Sequence, residues 1–186
     1  MNRRTGLNSR QRSGLTLPQP NYAVQTTVQS GDTINTVAVE TAFASTLTID
    51  ARAMEVGQCW WYQASGAFGT DSASPGNWRW KFKLGTTVLC QTASSAIAAN
   101  ITNRTWIMDV FWTVISVGTS GSIEAQGVVN LLNNASAATP REMPNAATVT
   151  IDTTAAQVAS TTITPTVSDA DNTITMRQSR LVLLNP

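Results

Sequence analysis

The run from Trp106 to Val117 constrains this chain more than any other segment. In an extended strand successive side chains point to opposite faces. One face would carry Trp106, Met108, Val110, Trp112 and Val114. The other would carry Ile107, Asp109, Phe111, Thr113, Ile115 and Val117. Both are largely apolar, so an antiparallel strand here needs cover on both sides. In a two-sheet sandwich only one face meets the other sheet. The second must meet another subunit or the chain's own loops or arm. Trp61, Ile107, Phe111 and Ile115 are therefore expected to form an association face.

The surrounding sequence supports an all-β reading. It holds 28 threonines and only 12% charged residues, with Lys81 and Lys83 the only lysines. Threonine and valine suit a pleated surface, and the Glu/Lys wealth of a helical bundle is missing. Strands are expected at 22–29, 34–40 continuing through 43–49, 57–66, 78–84, 87–92, 105–117, 122–132, 147–152, 158–167 and 173–184. The breaks contain turn formers: Ser30-Gly31-Asp32, the 71–77 stretch with Pro75 and Gly76, Gly118 to Gly121, and Asp169 to Asn172. The 94–103 and 133–146 segments are expected to be loops. Many short strands with regular turns indicate a sandwich or barrel. Trp78, Trp80, Phe82 and Leu84 alternate with Arg79, Lys81 and Lys83, which places the aromatic row in the core.

Charge is unevenly distributed. Residues 1–31 carry Arg3, Arg4, Arg10 and Arg12 and no acid; the remainder carries eight basic and eleven acidic residues, a net of −3. A basic arm over residues 1–30 on a mildly acidic 31–186 body implies an acidic partner, or else a solubilising terminus. An Arg-rich start without an apolar run predicts no secretory signal, and no stretch is apolar enough to span a membrane as a helix. Cys59 and Cys90 fall on the expected 57–66 and 87–92 strands as candidate cross-strand neighbours, either as reduced packing residues or as a late-forming bridge.

Histidine is absent, which removes Ser-His-Asp and Cys-His nucleophiles and histidine general bases. No catalytic residue, metal site or cofactor site is expected. Asp169-Ala170-Asp171 is a turn without the rest of a calcium loop. Asp109 and Glu124 lie on adjacent expected strands and are the nearest thing to a carboxylate pair. No phosphate-binding glycine loop occurs. The sequons at Asn100, Asn103 and Asn134 fit chance in so Thr/Ser-rich a chain.

From about residue 35 onward the motifs form a recognisable series. Val37-Ala38-Val39-Glu40-Thr41 is followed by Val56-Gly57 and Ala64-Ser65-Gly66. An alternating strand ends in Lys83-Leu84-Gly85-Thr86-Thr87. Trp106 leads through Thr113-Val114 to Ser116-Val117-Gly118 and Ser120-Gly121-Ser122. Then come Ala125-Gln126-Gly127, Asp152 to Gln157, and Asn172 to Thr175. This order resembles the single jelly-roll virion proteins of tailed bacteriophages, which serve as head decoration or cement subunits, head fibres or tail appendages. The resemblance implies an antiparallel two-sheet jelly-roll sandwich with an extended N-terminal arm and no enzymatic activity. It implies a homotrimer in the virion, assembled in the host cytoplasm, that clamps the major capsid protein. The four arm arginines would then meet acidic groups on the capsid. The chain departs from the pattern at Trp60-Trp61-Tyr62 and at Ile107, Phe111 and Ile115, where outward positions are usually polar.

Two rivals remain at the level of sequence. The coat protein of a small icosahedral virus also joins a basic arm to a jelly roll, and its arm faces nucleic acid. Four arginines are sparse for that role, because affinity scales with the phosphates neutralised. A carbohydrate-binding tail module would display tryptophan on loops, whereas all six tryptophans here fall on expected strands.

Overall fold

The computed structural model describes residues 27–35, 38–132, 138–145 and 147–185, with side chains from Asp32 onward. These residues form two antiparallel sheets and no helix, and none of them lies in a helix long and apolar enough to cross a membrane.

The seven-stranded sheet runs in the order β1 (Thr27–Asn35), β13 (Thr173–Leu183), β4 (Cys59–Gly69), β8 (Arg104–Ser116), β9 (Gly121–Leu131) and β10 (Thr139–Met143); β11 (Val149–Ile151) also pairs with β9. The six-stranded sheet runs β2 (Thr41–Ala42), β12 (Gln157–Pro165), β5 (Asn77–Leu84) and β6 (Thr87–Gln91). Within it β3 (Leu47–Ile49) pairs with β12 and β7 (Ser95–Ala96) with β5.

The expected core row is the centre of the molecule. Trp78, Trp80, Phe82 and Leu84 are fully buried, as are Trp106, Met108 and Val110 on β8. Rings from the two sheets interlock: Tyr62 meets Phe82 at 4.6 Å, Trp80 meets Trp106 at 4.9 Å and Phe82 meets Trp112 at 5.3 Å between centroids. Such ring pairs add directional attraction to the area they bury. The Tyr62 hydroxyl lies 3.0 Å from Thr161 Oγ1, so the one phenol in this stack keeps a partner across the sheets. Burial raises its pKa to about 12.

Gly66 fixes where β13 meets β4. A Cβ there would come within 1.8 Å of the Thr175 carbonyl oxygen. The approach coincides with a register shift in β13 between Met176 and Gln178. The sequence marks the place only as the end of Ala64-Ser65-Gly66.

Several elements differ from expectation. Ser30-Gly31-Asp32 does not reverse the chain but lies inside β1, where the register with β13 shifts between Val28 and Asp32. Asp32 is used to anchor a neighbouring segment: its carboxylate accepts the Ala44 amide at 3.0 Å and the Ser45 amide at 2.7 Å. Residues 27–30, placed with the arm on sequence, begin this strand, and residues 22–26 lie outside the described residues. The long strand expected over 34–49 is broken: β1 stops at Asn35, and only β2 and β3 follow.

Both expected loops contain strands. β7 is two residues long, and β10 completes the edge beside β9. Pro140 has no amide hydrogen to give, which an edge strand tolerates. Cys59 and Cys90 are not cross-strand neighbours, because β4 and β6 belong to different sheets. Both are free, and burial pushes the Cys90 thiol up to about 12.

Candidate functional site

The outer face of the seven-stranded sheet holds the residues the sequence singled out. Cross-strand register aligns Val182, Trp61, Phe111 and Gln126 in one row. It aligns Arg180, Gln63, Asp109 and Val128 in the next. Trp61 and Phe111 stack with rings 3° from parallel and centroids 6.0 Å apart. On the opposite flank of β4, the Arg180 guanidinium carbon lies 4.1 Å from the Trp61 ring centre. The indole is therefore held between a phenyl from β8 and a cation from β13, an arrangement favoured by the ring quadrupole.

Asp109 fixes the indole edge. Its Oδ1 accepts the Trp61 indole N–H at 3.0 Å and the Gln63 side-chain amide at 2.8 Å. A tryptophan stacked on both flanks and hydrogen-bonded at its nitrogen has no rotamer freedom left to lose on binding.

The apolar surface opens from this stack toward the β8–β9 turn. Phe111 is 43% exposed, Ile115 44% and Val117 48%. Ile115 sits at a register shift between Val114 and Ser116. Such a bulge leaves a residue unpaired and re-aims its side chain. Ile107 lies on the same face near the other end of β8 and is half-buried. Trp61, Ile107, Phe111 and Ile115 thus share one face, with Trp61 and Phe111 in direct contact and the isoleucines at opposite ends of the strand. Arg3, Arg4, Arg10 and Arg12 lie outside the described residues.

Beside Phe111 a groove of about 510 Å³ crosses the strands, floored by Cys59 and Thr113 and bordered by Glu124, Gln126, Asn145 and Leu184. Cys59 Sγ and Thr113 Oγ1 are 3.4 Å apart. The backbone amide of Cys59 donates to Asn185 Oδ1, and Asn185 returns its Nδ2 to the Gly57 carbonyl at 2.9 Å, closing that end of the sheet. Glu124 is the one carboxylate along the groove. Asp109 pairs with Val128 rather than with Glu124, four residues up β9 and roughly 13 Å away at a strand's rise, so the two acids do not face each other. Among the described residues, no three Cys, Asp or Glu side chains gather where they could hold one ion.

Sequence alternation could not have found Arg180, Gln63 and Asp109 as the frame of this face. Arg180 meets Trp61 only because β13 pairs with β4, a contact across more than half the chain. Val117 stands on the outward face in the alternating pattern but is not among the residues expected to associate.

Comparison with protein-family models, with curated proteins and with solved structures returned no match.

Proposed function

We propose that the protein is a virion structural subunit of the head-decoration or cement type. In this reading it associates with copies of itself, as a trimer, through the outer face of the seven-stranded sheet and clamps major capsid subunits. The single observation that carries this is the open apolar surface of Phe111, Ile115 and Val117 beside a pre-ordered Arg180–Trp61–Phe111 stack. Large side chains held rigid and left half-bare fit a surface built to be covered by protein.

Strand order supports the jelly-roll part of the reading. Setting aside the short β7 and the β9–β11 segment, the sheets run β1-β13-β4-β8 and β2-β12-β5-β6. Counting β2 and β3 as one interrupted strand, the chain crosses between the sheets at every step except β5 to β6, the order of two interleaved Greek keys. The β9–β11 segment then extends one sheet past its fourth strand and widens the outer face that carries the apolar surface.

Magnitudes favour a clamp with several contacts over a lone pair of subunits. Covering what remains exposed of Phe111, Ile115 and Val117 is worth about 3 kcal/mol by area. Association entropy costs more than that. Contacts of this size hold an assembly only when several act at once. A basic arm on the same chain supplies a second kind of contact in this reading.

The test is binding to capsids that lack the protein, read together with the mass of the free protein by light scattering. The expected result is a concentration-dependent oligomer that decorates capsids, with Phe111→Asp reducing both. A chain that stays monomeric at high concentration and leaves capsids bare overturns the proposal. Tight, salt-sensitive retention of nucleic acid by the arm would move it to the coat-protein class.

A further inference from the structure

The outward face of the six-stranded sheet, on the other side of the molecule, carries a different chemistry. Arg79, Lys81 and Lys83 alternate along β5, so they stand on one face about 7 Å apart at a strand's rise. Across the ladder on β12 each has a hydroxyl opposite it: Thr164 faces Arg79, Thr162 faces Lys81 and Ser160 faces Lys83. On a body with eleven acids against eight bases, this row gathers both lysines and one arginine.

One seat in the row shows what it accepts. The Glu40 carboxylate takes Lys81 Nζ at 2.5 Å, Lys83 Nζ at 3.2 Å and the Thr162 hydroxyl at 3.0 Å. An ammonium and a threonine hydroxyl on neighbouring strands thus converge on one carboxylate. The next rung repeats that pair with Arg79 and Thr164. There the Arg79 Nε and the Thr164 Oγ1 are shielded from solvent and have no hydrogen-bond partner. Polar atoms without partners are costly, and once the long Arg79 side chain turns outward to uncover them, a charge-assisted bond to an oxyanion would satisfy both.

We infer that Arg79 and Thr164 form an oxyanion site, and that the Arg79–Lys81–Lys83 row docks an acidic segment of a partner protein. Carboxylate is the ligand chemistry because the adjacent, equivalent pair already holds one. Glu40 acts as an internal competitor that fills the neighbouring seat and limits how much of the row a partner can use. The site lies on the sheet opposite the Trp61–Phe111 face, so it does not depend on the proposed self-association.

The test is a titration of the isotope-labelled full chain followed by NMR at the Arg79 Nε–H signal and the Thr164 amide. The probes are an acetylated peptide alternating glutamate and threonine, inorganic phosphate, and a short oligothymidylate. The peptide is expected to shift both signals saturably and to bind more tightly than phosphate. Arg79→Met should weaken it about tenfold, the loss of one charge-assisted bond. Thr164→Val, which keeps the side-chain shape, should weaken it severalfold and serves if Arg79→Met does not fold. Glu40→Gln should strengthen it by freeing both lysines. Phe111→Asp should leave the titration unchanged, which separates this site from the association face. Peptide binding that misses these two signals, or that survives both Arg79→Met and Thr164→Val, overturns the inference. Tighter binding of the oligothymidylate overturns the acidic-protein assignment in favour of a nucleic-acid backbone.

Discussion

Glu40 shows how one side chain can set a pH limit on part of this fold. The lysines beside it, Lys81 above all, and the Thr162 hydroxyl hold its carboxyl at about 2, below its ordinary 4.5, against the opposing effect of partial burial. A carboxylate whose folded-state pKa is depressed stabilises fully above its unfolded value. It loses that contribution as pH falls through the folded value. Wild type should therefore melt above Glu40→Gln at about pH 6, and the gap in Tm should close as pH falls from 4.5 to about 2. A constant gap across that range would mean that the carboxylate's charge is not what holds the segment. Gly66 gives a second residue-level outcome. Gly66→Ala drives a methyl into the Thr175 carbonyl, which is backbone and cannot swing aside. The expected loss is about 2–4 kcal/mol, measured by denaturant unfolding.

At the scale of elements, the anchoring of β1 can be tested directly. Asp32→Ala removes the acceptor for two backbone amides, Ala44 and Ser45, and should cost about 1–3 kcal/mol. Asp32→Asn, which keeps an acceptor oxygen, should recover part of that loss in the same unfolding measurement. This element also marks the border of what the sequence conveys. Alternation identified β5 and β8 with nearly their observed ends, because one buried face imposes a period of two that needs no partner to be read. Ser30-Gly31-Asp32 has the composition of a reversal, yet pairing with β13 absorbs it as a bulge. β10 reads Thr-Pro-Arg-Glu-Met and has no apolar period; it is a strand because β9 offers it an edge. The exposed apolar face was half legible for the same reason. Trp61, Phe111 and Ile115 follow from local pattern. Arg180, Gln63 and Asp109 depend on the register of three strands far apart in the chain, and no local pattern contains that register.

For the whole molecule, the two proposed contacts differ in how they should respond to solvent conditions. The seven-stranded sheet offers rings and branched aliphatics around one half-exposed stack, and the association proposed for it draws on apolar area and is little affected by ions. The six-stranded sheet offers three cations, of which Lys81 and Lys83 share one acid, and the attraction we infer for an acidic partner falls once the screening length shrinks toward about 3 Å at molar salt. In molar sodium chloride the protein should therefore keep its oligomeric mass by light scattering while losing the acidic peptide. Phe111→Asp should give the reverse at low salt, a smaller species that still binds the peptide. If salt dissolves the oligomer as well, the Trp61–Phe111 face is not the contact that holds the subunits together, and the charged row or the arm must carry self-association instead.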